Sequence, residues 1–116
     1  MAITPGKSNS LAAEKCAPCS GEQPPMEGET LTAFLGRLGG GWALKDNHLE
    51  KEFRFRDFRG ALGFTNKVGE LAESVTHHPD IHLAWGKVKV TIWTDKIGGL
   101  STADFVLAAK IDELPR

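Results

Sequence analysis

His77 and His78 stand side by side immediately before Pro79, with Glu73 four residues before the first of them. An imidazole titrates near neutral pH, so each can act as acid or base under physiological conditions. Together they are a proton-transfer signature with no obvious nucleophile beside it. A lone histidine at a helix end is commonly a C-terminal cap, because its cation suits the negative end of the helix dipole. Adjacent residues project in different directions, so one imidazole can cap or pack while its neighbour faces a cavity. Glu73 adds a local conflict, since a carboxylate near a helix C-terminus opposes the dipole; that tilts it toward a role such as orienting a histidine.

The elements that must position this pair follow from apolar periodicity. Leu31, Phe34, Leu35 and Leu38 fall at i, i+3, i+4 and i+7, predicting an amphipathic helix from Glu29 that stops in the Gly39-Gly40-Gly41 run. Trp42 opens a first strand and reads as core, and Asp46-Asn47 supplies a hairpin turn. Leu49, Phe53 and Phe55 then alternate with charged residues as a half-buried strand, with Lys51 interrupting the apolar face. Asp57 can cap a long helix whose stripe is Phe58, Ala61, Leu62, Thr65, Val68, Leu71, Ala72 and Val75. Pro79 disfavours helix at the residue before it, so the histidines sit where this helix ends. Ile81, Leu83 and Trp85 alternate as a third strand, favouring core for Trp85, and Val88, Val90, Ile92 and Thr94 as a fourth. Ser101-Thr102-Ala103-Asp104 reads as a capping box, with Leu100 and Phe105 placed as a hydrophobic staple for a last helix reaching Leu114. The order α-β-β-α-β-β-α predicts an α+β fold, a four-stranded antiparallel sheet with helices packed on one face.

Composition bounds the rest. A chain of 116 residues, 41% of them apolar, can bury one modest core, so one domain is expected over 29–116. Residues 1–28 are rich in Pro, Gly, Ser and Glu and read as a flexible tail. A formal charge of −1 offers no general attraction to nucleic acid or an anionic membrane. No run approaches the roughly 20 apolar residues of a membrane span, and no secretory signal core stands at the start, so a cytoplasmic protein is expected. Cys16-Ala17-Pro18-Cys19 has the spacing of a redox pair or half a zinc site, but no second cysteine pair completes it; free thiols on the tail are the expectation.

Other candidates have plain structural readings. Phe53, Phe55 and Phe58 interleave with Arg54, Arg56 and Arg59, yet strand alternation followed by a helix start explains this without RNA stacking. His48 and His82 fall on polar strand faces, and Lys87 and Lys89 on a solvated face or interface rim.

Over about Glu29 to Leu114 the chain resembles the pterin-4a-carbinolamine dehydratases. That family's motif runs from an acidic residue through three arbitrary positions to His-His-Pro, then an aromatic, a histidine or tryptophan, and an aspartate. Those places are Glu73, His77, His78, Pro79, Trp85, Asp95 and Asp104 here. A tryptophan after the glycine run and the Phe55-Arg56-Asp57-Phe58 junction add to the likeness. Asp95 is the departure, because a histidine commonly stands there.

The resemblance implies dehydration of 4a-hydroxytetrahydrobiopterin to the quinonoid dihydropterin in tetrahydrobiopterin recycling, with no metal or organic cofactor. It implies His77 and His78 as proton-transfer residues, with Asp95 as base or orienter. Glu73, Thr76, Pro79, Trp85, Trp93, Thr94 and Lys96 are implied around the pterin, although Trp85 alternates with core residues. An Asp95 carboxylate within about 4 to 6 Å of an imidazole favours that histidine's acid form, partly replacing the missing group. The capping box gives Asp104 a structural role instead. The resemblance also implies a homodimer or homotetramer. Its alternative is a catalytically weak relative that binds a protein partner, as transcriptional coactivators and carboxylase assembly factors of this fold do.

Overall fold

The computed structural model describes residues 28–38, 40–95 and 98–116. The expected tail up to residue 27, the Cys16/Cys19 pair and Lys96 lie outside the described residues. The elements are α1 (Gly28–Arg37), β1 (Ala43–Lys45), β2 (His48–Arg54), α2 (Phe58–Val75), β3 (Asp80–Ala84), β4 (Lys87–Ile92) and α3 (Thr102–Asp112). They follow the order read from periodicity, an α+β fold. The sheet runs β1-β2-β4-β3 with every neighbouring pair antiparallel.

Turn chemistry fixes the register. Asp46 and Asn47 both take positive φ, 52° and 65°, as a two-residue hairpin turn requires, and this sets Lys45 opposite His48. One sheet face is apolar: Leu49, Phe53, Val88, Val90 and Ile92 are buried in the cluster that includes Phe64 of α2 and Phe105, Leu107 and Ile111 of α3. The intervening positions carry charge, with Glu50 paired to Lys45 and Lys89, and Glu52 to Arg54 and Lys87. Exposed pairs of this kind contribute little individually, so the apolar face holds the fold.

Lys51 interrupts the apolar face for a reason the alternation does not contain. Its Nζ is 2.8 Å from Asp112 Oδ1 at the end of α3, while Trp42 Nε1–H donates to Asp112 Oδ2 at 2.9 Å. The Lys51 ammonium also lies over the Phe53 ring, 4.9 Å from its centroid. One carboxylate thus ties β2, the chain entering β1 and the last helix together.

Two expectations are corrected. The buried stripe of α2 is Ala61, Phe64, Val68 and Ala72, with Phe58 and Leu62 exposed; the sheet selects a face rotated from the one drawn by counting apolar residues. Trp85 is 68% exposed rather than core. It follows the last residue of β3 and enters the turn to β4, so the alternation of Ile81 and Leu83 no longer governs it.

Candidate active site

Asp57 begins the long helix that delivers the histidines: its carboxylate accepts from Gly60 N–H at 2.8 Å, capping α2. The other end closes on Thr76, whose φ of 57° and ψ of 40° are left-handed. This conformation is uncommon for a β-branched residue and stores strain of about 1–2 kcal/mol. The turn lets Thr76 and His77 donate their backbone N–H groups to carbonyls in the last turn of α2, with His77 N 3.2 Å from Ala72 O. The chain reverses, and His77 and His78 emerge just ahead of β3.

The two imidazoles meet different carboxylates. His77 Nε2 is 2.6 Å from Asp104 Oδ1, and His78 Nε2 is 2.7 Å from Glu73 Oε2. The first pair is enclosed, with the His77 side chain 17% exposed and Asp104 fully buried; the second is open to solvent. Asp104 Oδ2 accepts from Thr94 Oγ1–H at 2.7 Å and from Ser101 N–H at 2.8 Å, and Thr94 Oγ1 is 3.0 Å from Ser101 Oγ. With Asp104 as a carboxylate, Oδ1 accepts from His77 Nε2–H, and in that tautomer of the neutral imidazole Nδ1 carries the lone pair.

Asp104 is the residue that sequence reasoning underused. The capping box accounted for one of its oxygens, and the other holds a histidine 27 positions away. The signal was available, since Asp104 closes the motif that begins at Glu73. Thr94 is positioned by a bridge to Gly99, donating N–H to the Gly99 carbonyl at 2.8 Å, which folds the residues after β4 back onto the start of α3.

The remaining predicted residues divide by place. Thr76 and Pro79 flank the histidines, and Trp93, Thr94 and Asp95 follow β4, whose end lies beside the start of β3. Asp95 is exposed, and the carboxylates that meet the imidazoles at hydrogen-bond distance are Asp104 and Glu73. Trp85 lies at the far end of β3 from the histidines. No group of three or more potential metal ligands occurs among the described residues.

The sequence model for pterin 4 alpha carbinolamine dehydratase matches residues 24–114. The chain belongs to that dehydratase family. A relative from Alkaliphilus metalliredigens, named "Putative pterin-4-alpha-carbinolamine dehydratase", is 49% identical over 106 residues, covering 90% of this chain and 96% of that one. One of the same name from Rubrobacter xylanophilus is 50% identical over 104 residues, covering 90% and 97%. Among solved structures, a transcriptional coactivator/pterin dehydratase from Brucella melitensis superposes with a TM-score of 0.71 at 29% identity, covering 76% of this chain and 95% of that one. A pterin dehydratase-like protein described as a RuBisCO assembly factor in the alpha-carboxysome shares the fold, with a TM-score of 0.52 at 24% identity over 61% of this chain and 82% of its own. In this dehydratase-family chain no described helix is long and apolar enough to cross a membrane.

Proposed function

We propose that the protein dehydrates 4a-hydroxytetrahydrobiopterin to the quinonoid dihydropterin, using His77 and His78 as its proton-transfer pair. The observation that carries this reading is that each imidazole is tied through Nε2 to its own carboxylate, Asp104 or Glu73. Each then has Nδ1 left over for a substrate.

In the reaction the bond from C4a to its hydroxyl oxygen breaks, and the oxygen leaves as water after taking a proton from an acid. A ring nitrogen gives its proton to a base, and the carbon–nitrogen double bond forms. His77 suits the base: a proton taken at Nδ1 makes an imidazolium already facing the buried Asp104 carboxylate. His78 suits the acid: as an imidazolium it gives its Nδ1 proton to the leaving oxygen while Nε2–H stays on Glu73, and its open position allows that proton to be replaced from water. Exchange of one proton with solvent restores both. Thr76, Pro79, Trp93 and Asp95 line the pterin site in this reading, and Thr94 acts through Asp104. With this activity we propose a place in tetrahydrobiopterin recycling and a cytoplasmic location.

The test is the rate of quinonoid dihydropterin formation from freshly generated 4a-hydroxytetrahydrobiopterin, for wild type, His77→Ala, His78→Ala and Asp95→His. Acceleration by wild type that falls to the buffer rate in both alanine variants supports the reading. No acceleration by wild type or Asp95→His rejects it.

The second reading is a protein-binding or assembly role, favoured by the exposed aspartate at 95 and by the coactivator and assembly-factor descriptions of the structural neighbours. In either reading a homodimer or homotetramer is proposed, since β1 and β3 are edge strands of the sheet. Light scattering at micromolar concentration tests that state.

A further inference from the structure

His48 has a neighbour that its place on a polar strand face did not suggest. Its imidazole stacks on the Trp93 indole, ring centroids 4.2 Å apart and planes inclined by 20°. The backbone prepares the contact from two directions. The positive-φ turn at Asp46 and Asn47 fixes where β2 begins, and the register Leu49↔Ile92 sets the next pair outward as His48 and Trp93.

The other flank of β4 carries β3, into which the histidine pair leads. β3 pairs with β4 from Asp80↔Thr91 onward, so His78 and Pro79 stand near the end of β4 from which Trp93 continues. Trp93 is thus stacked on His48 on the β2 side, at the end of β4 beside which the histidine pair leads into β3. Ile92 and Thr94 are buried, while Trp93 and His48 are only half-buried, so the stacked rings retain open surface.

We infer that His48 is a positioning residue of the pterin site, holding the Trp93 indole so that the stacked pair forms the flat edge against which the substrate's bicyclic ring lies. This deepens the dehydratase reading and rests on it. Flat conjugated rings gain from offset stacking on other rings, and an indole already held by a neighbour loses less freedom when a ligand arrives. His48 needs no proton transfer for this role, so phenylalanine should replace it.

The experiment combines kinetics with NMR of the full chain. His48→Ala is expected to raise KM for 4a-hydroxytetrahydrobiopterin by up to about tenfold with kcat within about twofold of wild type, the scale of one lost aromatic contact. His48→Phe is expected to restore KM. In the wild type, biopterin is expected to shift the His48 ring and Trp93 indole resonances together with those of His77 and His78. A His48→Ala KM equal to wild type, a His48→Phe variant as impaired as His48→Ala, or biopterin shifts confined to His77 and His78 would overturn the inference while leaving the dehydratase reading intact. Absence of both biopterin shifts and catalysis in the wild type would overturn both. If His48→Ala does not fold, the wild-type shifts and His48→Phe decide.

Discussion

His77 Nε2 and Asp104 Oδ1 are 2.6 Å apart, although 27 residues separate them, and the aspartate is completely buried. Asp104 serves two structures at once: it caps α3 through Ser101 N–H and orients a histidine at the end of α2. Burial of a carboxylate is costly unless its lone pairs are filled, and here His77, Thr94 and Ser101 fill them.

Asp104→Asn tests the orienting role. The carboxamide keeps the shape of the side chain but can present N–H to His77, favouring the wrong tautomer. Dehydration is expected to slow by about 10² to 10⁴, the range for a misplaced acid–base group. Glu73→Gln, at an open position, is expected to slow it less. Steady-state rates for both variants beside wild type check the order; equal losses would contradict the assignment of His77 to the enclosed dyad.

Thr94→Val removes a hydroxyl that donates to Asp104 at 2.7 Å in a buried setting. The loss leaves one carboxylate lone pair without a donor and is expected to cost about 1–3 kcal/mol of stability. Urea denaturation measures it, and Thr94→Ser should recover most of the difference.

Thr76→Gly addresses the left-handed turn ahead of the histidines. Glycine adopts φ near 57° without the steric cost borne by threonine, but it also loosens the unfolded chain. The variant is expected to be as stable as wild type or up to about 1 kcal/mol more stable, with lower kcat because the histidines are held less firmly. Denaturation midpoints together with kcat show whether stability and activity separate here.

Lys51 and Asp112 form a pair with side chains 14% and 17% exposed. Asp112→Ala strips partners from both the Lys51 ammonium and the Trp42 indole N–H and is expected to destabilise by about 2–4 kcal/mol. Replacing both residues, Lys51→Met with Asp112→Leu, should cost less than Asp112→Ala alone. Gly41→Ala is expected to be destabilising by about 1–3 kcal/mol: φ there is 101°, and an added Cβ would lie 2.8 Å from Lys51 Cε. A double-mutant cycle by thermal unfolding checks the pair, and none of these changes lies among the histidines.

Trp85→Ala separates exposed from functional tryptophan. With the ring 68% exposed at the far end of β3, stability is expected to change by no more than about 0.5 kcal/mol and the dehydration rate to stay at the wild-type value. A loss of activity would place Trp85 in the site.

The sequence by itself determined the elements and their order, because apolar periodicity, Asp57, the Asp46-Asn47 turn, Pro79 and the Ser101–Asp104 box act over a few residues. It also delivered Glu73, His77 and His78 as neighbours, since a helix end and a proline keep them together. Tertiary structure decided the rest. Which face of α2 is buried depended on the sheet beneath it, so Phe64 entered the core while Phe58 and Leu62 did not. Lys51 gained its meaning from Asp112, 61 residues away, and His48 from Trp93, 45 residues away. Asp104, rather than the nearer-seeming Asp95, reached His77 because the Thr94–Gly99 bridge folds α3 back against the end of α2. Local signals fix dihedrals and caps; a side chain's partner across the core is set by register and packing, which no short stretch of chain contains.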